Sequence, residues 1–226
     1  MSIGEEILLV SPFSVVRRLS ELIQTSGFWQ SICFSLVRIA GGFLTAVIVG
    51  ICLASIASRF GVLRELLAPA LQTIKAIPVA SFIILVLIWV PSRNLSMLIS
   101  FLIVLPVIYA NVLKGIDSTD TQLLEMSQVF RIGISRKIRY IYLSQVLPYF
   151  QAACSVGLGL CWKSGIAAEV IGIPSGSIGE RLYEAKVYLN TPDLFAWTVV
   201  IVVVSLAFEK LFMLVVKRIV RSVESM

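Results

Sequence analysis

The sequence predicts an all-α integral membrane protein, a polytopic bundle of about five transmembrane helices. The chain of 226 residues is 58% hydrophobic, only 14% of its residues are charged, and its mean hydropathy is +0.95. This composition leaves too little polar surface to cover a soluble globule. Several uncharged stretches reach the roughly 20 residues that a helix needs to cross a bilayer. Basic residues gather between these stretches, as they do in membrane proteins.

The N-terminal region, residues 1–30, is predicted to be an external segment containing an amphipathic helix. In Pro12–Thr25, apolar residues recur at helical spacing and charged residues occupy the other side. Ser11 followed by proline is a favourable helix start. The helix is too short and too charged to span the bilayer, so we expect it to lie on the outer membrane surface, as an anchor or as a contact for a partner. The acidic start of the chain, at Glu5 and Glu6, differs from the basic flank of a signal peptide.

The transmembrane domain is predicted at residues 31–216. Its five spans are Ile39–Ser58, Pro69–Pro91, Asn94–Leu113, Pro148–Ala168 and Leu194–Val216. The longest connections are residues 115–147 and 169–193, and a basic tail follows at 217–226.

An odd number of spans places the two termini on opposite sides of the membrane, and basic residues indicate which side is cytoplasmic. With the N-terminus outside and the C-terminus in the cytoplasm, twice as many basic residues are cytoplasmic as external. The cytoplasmic set is Arg59, Arg64, Lys114, Arg131, Arg136, Lys137, Arg139, Lys217, Arg218 and Arg221, and the external set is Arg17, Arg18, Arg93, Arg181 and Lys186. The net charge of +6 therefore fits membrane orientation better than nucleic-acid binding. Residues 115–147 become the largest cytoplasmic connection, and 169–193 an outer loop.

Two stripes of small residues predict close helix contacts, because small side chains let backbones approach in lipid. Such contacts could lie within one subunit or between two. The first stripe is Gly42, Ala46, Gly50, Ala54 and Ser58, and the second is Ala153, Gly157, Cys161 and Gly165.

Four residues are candidates for a translocation path or gate: Pro78, Trp162, Lys163 and Glu169. Proline removes a backbone donor and breaks or bends a span, although it can also merely shape packing. Charges deep in a membrane are costly and usually face protein or water. Lys163 could attract an anionic substrate or pair with another charge, whereas Glu169 lies near a span end, where interfacial anchoring is the alternative.

The two long connections carry local helix signals. After Glu169, the residues Gly172, Pro174, Gly176 and Gly179 predict a shaped loop. Ser177 and Glu180 match a capping box and predict a short helix through about Leu189. In the other connection, Asp117–Gln122 offers N-cap residues before apolar residues at helical spacing, and a basic cluster follows at Arg131, Arg136, Lys137 and Arg139.

Here the sequence resembles a known family. Leu124-Glu125-Met126-Ser127, followed by Ile141–Pro148, is similar to the cytoplasmic coupling loop of binding-protein-dependent ABC importer permeases of the type I fold. Further similarity to the nitrate, sulfonate, taurine and thiamine-precursor group covers about residues 11–215, including Ser35–Arg38 and Trp162–Glu169. The departures are Met126 and Ser127 in place of two Ala residues, Arg131 at the usual Gly position with Gly133 two residues later, and Ser144 in place of a Pro.

The resemblance implies a permease subunit of the bacterial cytoplasmic membrane that is not itself an enzyme. Two copies of the subunit, commonly identical, would enclose the path. Two cytoplasmic ATPases carrying ATP and Mg would bind the coupling loop, and an extracytoplasmic binding protein would deliver a small, anionic substrate. The implied ATPase contacts are Leu124, Glu125, Met126, Ser127, Phe130, Arg131 and Gly133, and the implied binding-protein contacts are Gly172, Pro174, Gly176, Gly179 and Glu180.

Two other classes of membrane protein are a secondary transporter and an enzyme. An ion-coupled secondary transporter is the alternative that Lys163 and the proline-broken span allow. A membrane enzyme is disfavoured, since the chain has no His, its four Cys lie in apolar stretches without metal-ligand spacing, and no nucleophile lies beside a base. The chain also lacks a GxxxxGK[ST] phosphate loop, so we expect no cofactor to bind to it.

Overall fold

The computed structural model describes the backbone of residues 11–224 and the side chains of that range except 219 and 221–224. Residues 1–10, with Glu5 and Glu6 of the predicted external segment, and residues 225–226 of the predicted tail lie outside the described residues, as does the side chain of Arg221. The described range is helical and contains no strand. Its elements are α1 (Pro12–Ile23), α2 (Ser26–Ala57), α3 (Gly61–Ala76), α4 (Val79–Val86), α5 (Ser92–Asp117), α6 (Thr121–Val129), α7 (Ile134–Lys137), a π-helical turn (Ile138–Tyr142), α8 (Leu143–Gly172), α9 (Ile178–Val187) and α10 (Thr191–Glu224).

The long helices confirm the predicted fold class. Four of them are long and apolar enough to cross a membrane: α2, α5, the continuous helix Ile134–Gly172, and α10 over Thr191–Arg218. The broken pair α3 and α4 gives a fifth span if the pair is counted as one. The amphipathic α1 also forms close to its predicted bounds.

The first span begins well before its predicted start at Ile39, because the charge of Arg38 does not end the helix. The Arg38 guanidinium donates a hydrogen bond to the Arg93 carbonyl and lies 3.8 Å from the centroid of the Phe34 ring. These contacts provide partners for the Arg38 guanidinium while the backbone stays helical. The helix α2 therefore extends on the N-terminal side of Arg38 as far as Ser26.

The fourth span likewise begins at Ile134 and not at Pro148. A π-helical turn interrupts the regular pattern of backbone hydrogen bonds near its start. The Ser144 hydroxyl donates to the carbonyls of Tyr140 and Ile141, at 3.1 Å and 3.0 Å, and so provides a donor for two acceptors of that turn. The predicted connection 115–147 is therefore largely helical.

The second span, predicted as one segment over Pro69–Pro91, is broken. Pro69 lies inside α3, whereas Pro78 is the N-cap residue of α4. With eight residues, α4 is about 12 Å long, too short to cross a bilayer alone. Pro78 thus interrupts the helix, as its missing N–H predicts.

The chain forms two compact units, each with its own buried core. The first contains the chain up to Gly42, Ile77–Ser100 and Cys161–Phe208, and the second contains Phe43–Ala76, Phe101–Leu160 and the chain from Glu209. Fully buried side chains include Ile39, Leu95, Ile99 and Ile178 in the first unit, and Phe43, Val104 and Ile108 in the second.

The glycines of the two small-residue stripes pack within the chain. In the first unit, a Cβ at Gly42 would overlap the Met97 backbone, and one at Gly165 would lie 2.7 Å from Ile39. In the second unit, a Cβ at Gly50 would lie 2.9 Å from Ile108, and one at Gly157 would lie 3.3 Å from Val104. The stripe residues Ala46, Ala54 and Ala153 are also buried.

Candidate functional site

The segment around Glu125 folds as a short helix whose start is fixed by a side chain. The Asp120 carboxylate is the N-cap and accepts a hydrogen bond of 2.8 Å from the backbone N–H of Gln122. The backbone N–H of Asp120 itself donates to Gln145 Oε1, at 3.1 Å. The predicted capped helix forms here, and its N-cap residue is tied to α8.

The same helix ends in a Schellman motif, the turn in which the residue after the C-cap takes the left-handed conformation. That residue is Arg131, with φ of 49°. Its N–H donates to Gln128, at 3.0 Å, and the N–H of Ile132 donates to Ser127, at 2.9 Å. Glycine is the preferred residue at such a position, so the backbone agrees with the register in which Arg131 occupies the usual Gly position. Gly133, with φ of −59°, needs no glycine.

Most of the predicted ATPase contacts are exposed. Glu125, Met126, Phe130, Arg131 and Gly133 are accessible, and Leu124 is half-buried. Ser127 is the exception, because it is buried and its hydroxyl donates to the Leu124 carbonyl of its own helix at 2.6 Å. The Ser127 side chain is therefore not available for a contact with a partner.

A buried carboxylate organises the other candidate region. Glu169 is fully buried near the end of α8, and its Oε2 accepts hydrogen bonds from the Ser35 hydroxyl, at 2.6 Å, and from the Gly179 N–H, at 3.3 Å. The Ser35 oxygen in turn accepts from the Ile178 N–H, at 3.0 Å. Ile178 and Gly179 are the first residues of α9, whose free N–H groups favour an anion. Interfacial anchoring of Glu169 is therefore wrong, because its partners hold it inside the protein.

Local side chains satisfy the rest of the α9 N-terminus. The N-cap bond that the capping box predicts for Ser177 forms, whereas Glu180 bonds to Gly176 and not to the N-cap residue. The Ser177 hydroxyl accepts from the Glu180 N–H, at 2.9 Å, and the Glu180 carboxylate accepts from the Gly176 N–H, at 2.5 Å. A Cβ at Gly179 would overlap the Cβ and backbone of Glu169, so only glycine fits. Gly176 has φ of 84° and requires glycine for its turn.

Two of the predicted binding-protein contacts are not at the surface. Pro174 and Gly179 are buried, because α9 packs closely against the end of α8. Gly172, Gly176 and Glu180 are half-buried. The most exposed large apolar side chains of this region lie at the end of α9, at Val187, Tyr188 and Leu189.

The four path candidates differ in exposure. Pro78 and Lys163 present accessible side chains, whereas Trp162 and Glu169 are buried. The Trp162 ring packs 6.2 Å from that of Phe208, so it belongs to the core of its unit. The side chains of Trp162 and Glu169 therefore do not line a path directly in this structure. Lys163 is the charged candidate whose side chain is exposed at the protein surface.

The sequence reasoning missed the ion pairs of the structure, among them a long-range pair between α1 and α10. The Arg18 guanidinium of α1 donates to both carboxylate oxygens of Asp193, in the first turn of α10, and to Glu21 at 3.0 Å. Hydrogen bonds to Asp193 and Glu21 raise the pKa of the Arg18 guanidinium. The partners are 175 residues apart, so only the acidic first turn of the last span could have hinted at this contact. Serine in an apolar span, as at Ser35, was a comparable hint of an interhelical hydrogen bond.

Among residues 11–224, no group of three or more His, Cys, Asp and Glu side chains could hold a metal ion. The side chains of Ser35, Asp120, Glu169 and Ser177 instead build helix caps and interhelical hydrogen bonds.

The apolar spans, the capped helix between them and the broken span agree with the type I importer permease that the sequence resembles. Over residues 46–225 the chain matches the family described as "Binding-protein-dependent transport system inner membrane component", and it belongs to that family. It is therefore the inner-membrane translocation subunit of an ABC importer and not an enzyme. Membership implies a binding protein and an ATPase as partners, and it decides against the secondary transporter.

Individual relatives agree with this assignment. A protein of Bacillus subtilis (strain 168) named for aliphatic sulfonates transport is 28% identical over 87% of this chain and 71% of its own length. The taurine transport system permease protein of Escherichia coli (strain K12) is 24% identical over 90% of this chain and 76% of its own. The crystal structure of an amino acid ABC transporter with histidines shares the fold, with a TM-score of 0.59 at 15% identity, covering 95% of this chain and 100% of that one.

Proposed function

We propose that two identical copies of this chain enclose the path of an importer for a small anion. In this arrangement the N-terminus is external, the surface of α6 binds a cytoplasmic ATPase, and the end of α9 meets the binding protein. ATP and Mg are held by two ATPase subunits. The observation that carries the proposal is the exposed, rigidly capped surface of α6.

The α6 surface suits a docking helix because it combines apolar and charged groups at its exposed end. Val129 and Phe130 are 77% and 72% exposed, and Glu125 lies on the same helix. Exposed aromatic residues of this kind often anchor interfaces. The hydrogen bond between Asp120 and Gln145 supports a lever role, since displacement of α6 would pull on α8.

Reversal of the charge at Glu125 tests the coupling. In liposomes with the ATPase and binding protein, we expect Glu125→Arg to lower substrate-stimulated ATP hydrolysis at least fivefold, because the new cation disrupts the docked surface. The subunit should still insert and keep its melting temperature, since Glu125 is exposed.

The matched control is Glu65→Arg, the same exchange at an exposed site on α3. It should leave the stimulation within twofold of the native value. Full stimulation with Glu125→Arg would refute the coupling role, and an equal loss in both variants would show a general effect of charge.

The end of α9 supports a contact with the binding protein. Tyr188 is 79% exposed and Leu189 is 71% exposed, whereas Glu180 is half-buried at the other end of the helix. An exposed tyrosine provides apolar area and a hydroxyl, the combination that is enriched at protein interfaces.

The substrate class is proposed from the relatives and from Lys163. Relatives are named for sulfonates, taurine, bicarbonate and nitrate, all of which carry an anionic group. Lys163 is exposed within a span, and a cation there favours protein or water over lipid. A path that attracts anions explains this placement.

Exchange of Lys163 tests the substrate class. With taurine and nitrate as transported probes, Lys163→Gln should lower uptake at least tenfold, and Lys163→Arg should retain most of it because the charge remains. Lys75→Gln, at an exposed lysine of α3, is the control and should have less than a twofold effect. Unchanged uptake in Lys163→Gln would return Lys163 to a structural role.

A second copy is supported by the surface of α10. Only 11% of its most apolar stretch of 18 residues is buried within the chain. Leu211 and Leu214 are 64% and 59% exposed. Such a helix needs lipid or another protein surface on most sides. Two differently tagged copies should therefore co-purify from one membrane, and strictly monomeric subunits in an active transporter would contradict the proposal.

A further inference from the structure

An apolar groove lies between α1 and the N-terminal halves of α2 and α10. All of its lining residues belong to the first compact unit. Its volume is about 250 Å³. Phe28, Ile32 and Val200 form a buried floor. The walls include Ile23, Trp29 and Val203, which are 43%, 55% and 59% exposed, so the groove is open at its sides.

The surface that lines the groove is entirely apolar. The polar atoms at its edge do not face into it, because they form a hydrogen bond with each other. The Trp29 indole N–H donates to the Ile23 carbonyl, at 3.0 Å. That carbonyl belongs to the last turn of α1 and would otherwise lack a partner. The Phe28 ring is fixed from two sides, 5.4 Å from Trp29 and 5.2 Å from Trp197. The floor is thus preformed and offers no hydrogen bond to an occupant.

The position of the groove identifies the occupant. Two of its three walls are membrane-spanning helices of an inner-membrane protein, and its open side continues the exposed apolar face of α10 at Val202 and Leu206. The third wall, α1, turns Leu19 and Ile23 toward the groove, whereas Arg17 and Glu21 lie on its other side. An amphipathic helix in this arrangement covers acyl chains with its apolar side and leaves its charges at the headgroups.

We propose that this groove is a binding site for one acyl chain of a membrane phospholipid, held beneath α1. The lipid fills the space between α1 and the spans and buries Ile23, Trp29 and Val203. None of the residues lining this groove is among the proposed path or ATPase-contact residues.

The test uses the full chain in liposomes of phosphatidylethanolamine and phosphatidylglycerol. A trace of phosphatidylglycerol with a diazirine in one acyl chain is activated by light, and the adducts are mapped by mass spectrometry. We expect adducts on residues 19–32 and 199–204 at least fivefold above those on other exposed apolar segments. Val203→Trp, which fills the groove, should reduce these adducts at least fivefold.

The matched control is Val202→Trp, the same exchange at a neighbouring side chain that is 51% exposed and outside the groove lining. It should keep the adducts within twofold of the native level. Adducts spread evenly over the exposed helices, or unaffected by Val203→Trp, would overturn the site. Groove adducts that vanish when two copies assemble would also overturn it, because a second copy would then be the occupant.

Discussion

At the scale of single residues, Glu169 stabilises the junction of α8 and α9, and its removal is a sharp test of that role. We expect Glu169→Ala to leave the Ser35 hydroxyl and the Gly179 N–H without their acceptor. Buried unpaired groups of this kind cost about 1–3 kcal/mol each. Together the two groups amount to about 2–6 kcal/mol, so for a chain of this size the melting temperature in detergent should fall by about 4–24 °C. Thermal unfolding followed by tryptophan fluorescence measures the change.

Two variants separate the hydrogen bonds of Glu169 from its charge. Glu169→Gln keeps a carbonyl acceptor for Ser35 and should lose less than half of what Glu169→Ala loses. Glu184→Ala removes a carboxylate of α9 that is 44% exposed and pairs with Arg181 at 3.0 Å, and it should cost less than about 1 kcal/mol. A native melting temperature for Glu169→Ala would show that the buried hydrogen bonds contribute nothing to stability.

The sequence could identify Glu169 as an unusual residue but could not predict its partners. Ser35 lies 134 residues away, and no local pattern connects the two. Arg131 shows the opposite case. The resemblance marked its position as one normally held by glycine, and the left-handed backbone found there agrees, since a Schellman turn depends only on a few neighbouring residues.

At the scale of elements, the helices with local end signals were predicted well. Capping residues bond within three residues of themselves, so Asp120 and Ser177 fix the starts of α6 and α9 whatever the rest of the fold does. The spans were predicted less well at their starts. Arg38 and Pro148 read as boundaries in the sequence, but a distant carbonyl accommodates Arg38, and a π-helical turn lies just before the helix that contains Pro148.

The docking of α1 depends on the ion pair between Arg18 and Asp193. Arg18→Met and Asp193→Asn should each release α1, because a forked guanidinium–carboxylate pair adds hydrogen bonds as well as charge. A loss of about 1 kcal/mol corresponds to roughly fivefold faster amide exchange. Hydrogen exchange of peptides covering Leu19–Ile23, in nanodiscs, measures this effect.

The double variant and a neighbouring arginine are the controls for α1. Arg18→Met combined with Asp193→Asn should exchange no faster than either single variant, since the pair is already lost. Arg17→Met removes a side chain that is 75% exposed and pairs only weakly with Glu21, at 3.4 Å, and should change exchange less than twofold. Native exchange in both single variants would mean that apolar packing alone holds α1.

At the scale of the whole molecule, the proposed orientation in the membrane rests on the distribution of basic residues and predicts which surfaces are accessible in cells. With Cys33 and Cys52 replaced by serine, Tyr188→Cys should react with an impermeant maleimide in intact cells, because α9 is expected outside. Ser135→Cys, at an exposed position in the basic segment after α6, should react only after permeabilisation. Both residues are exposed, so a difference in labelling reports sidedness and not burial. The reverse pattern would place α6 outside, where no ATPase could reach Glu125, and would contradict the orientation and the coupling proposal together.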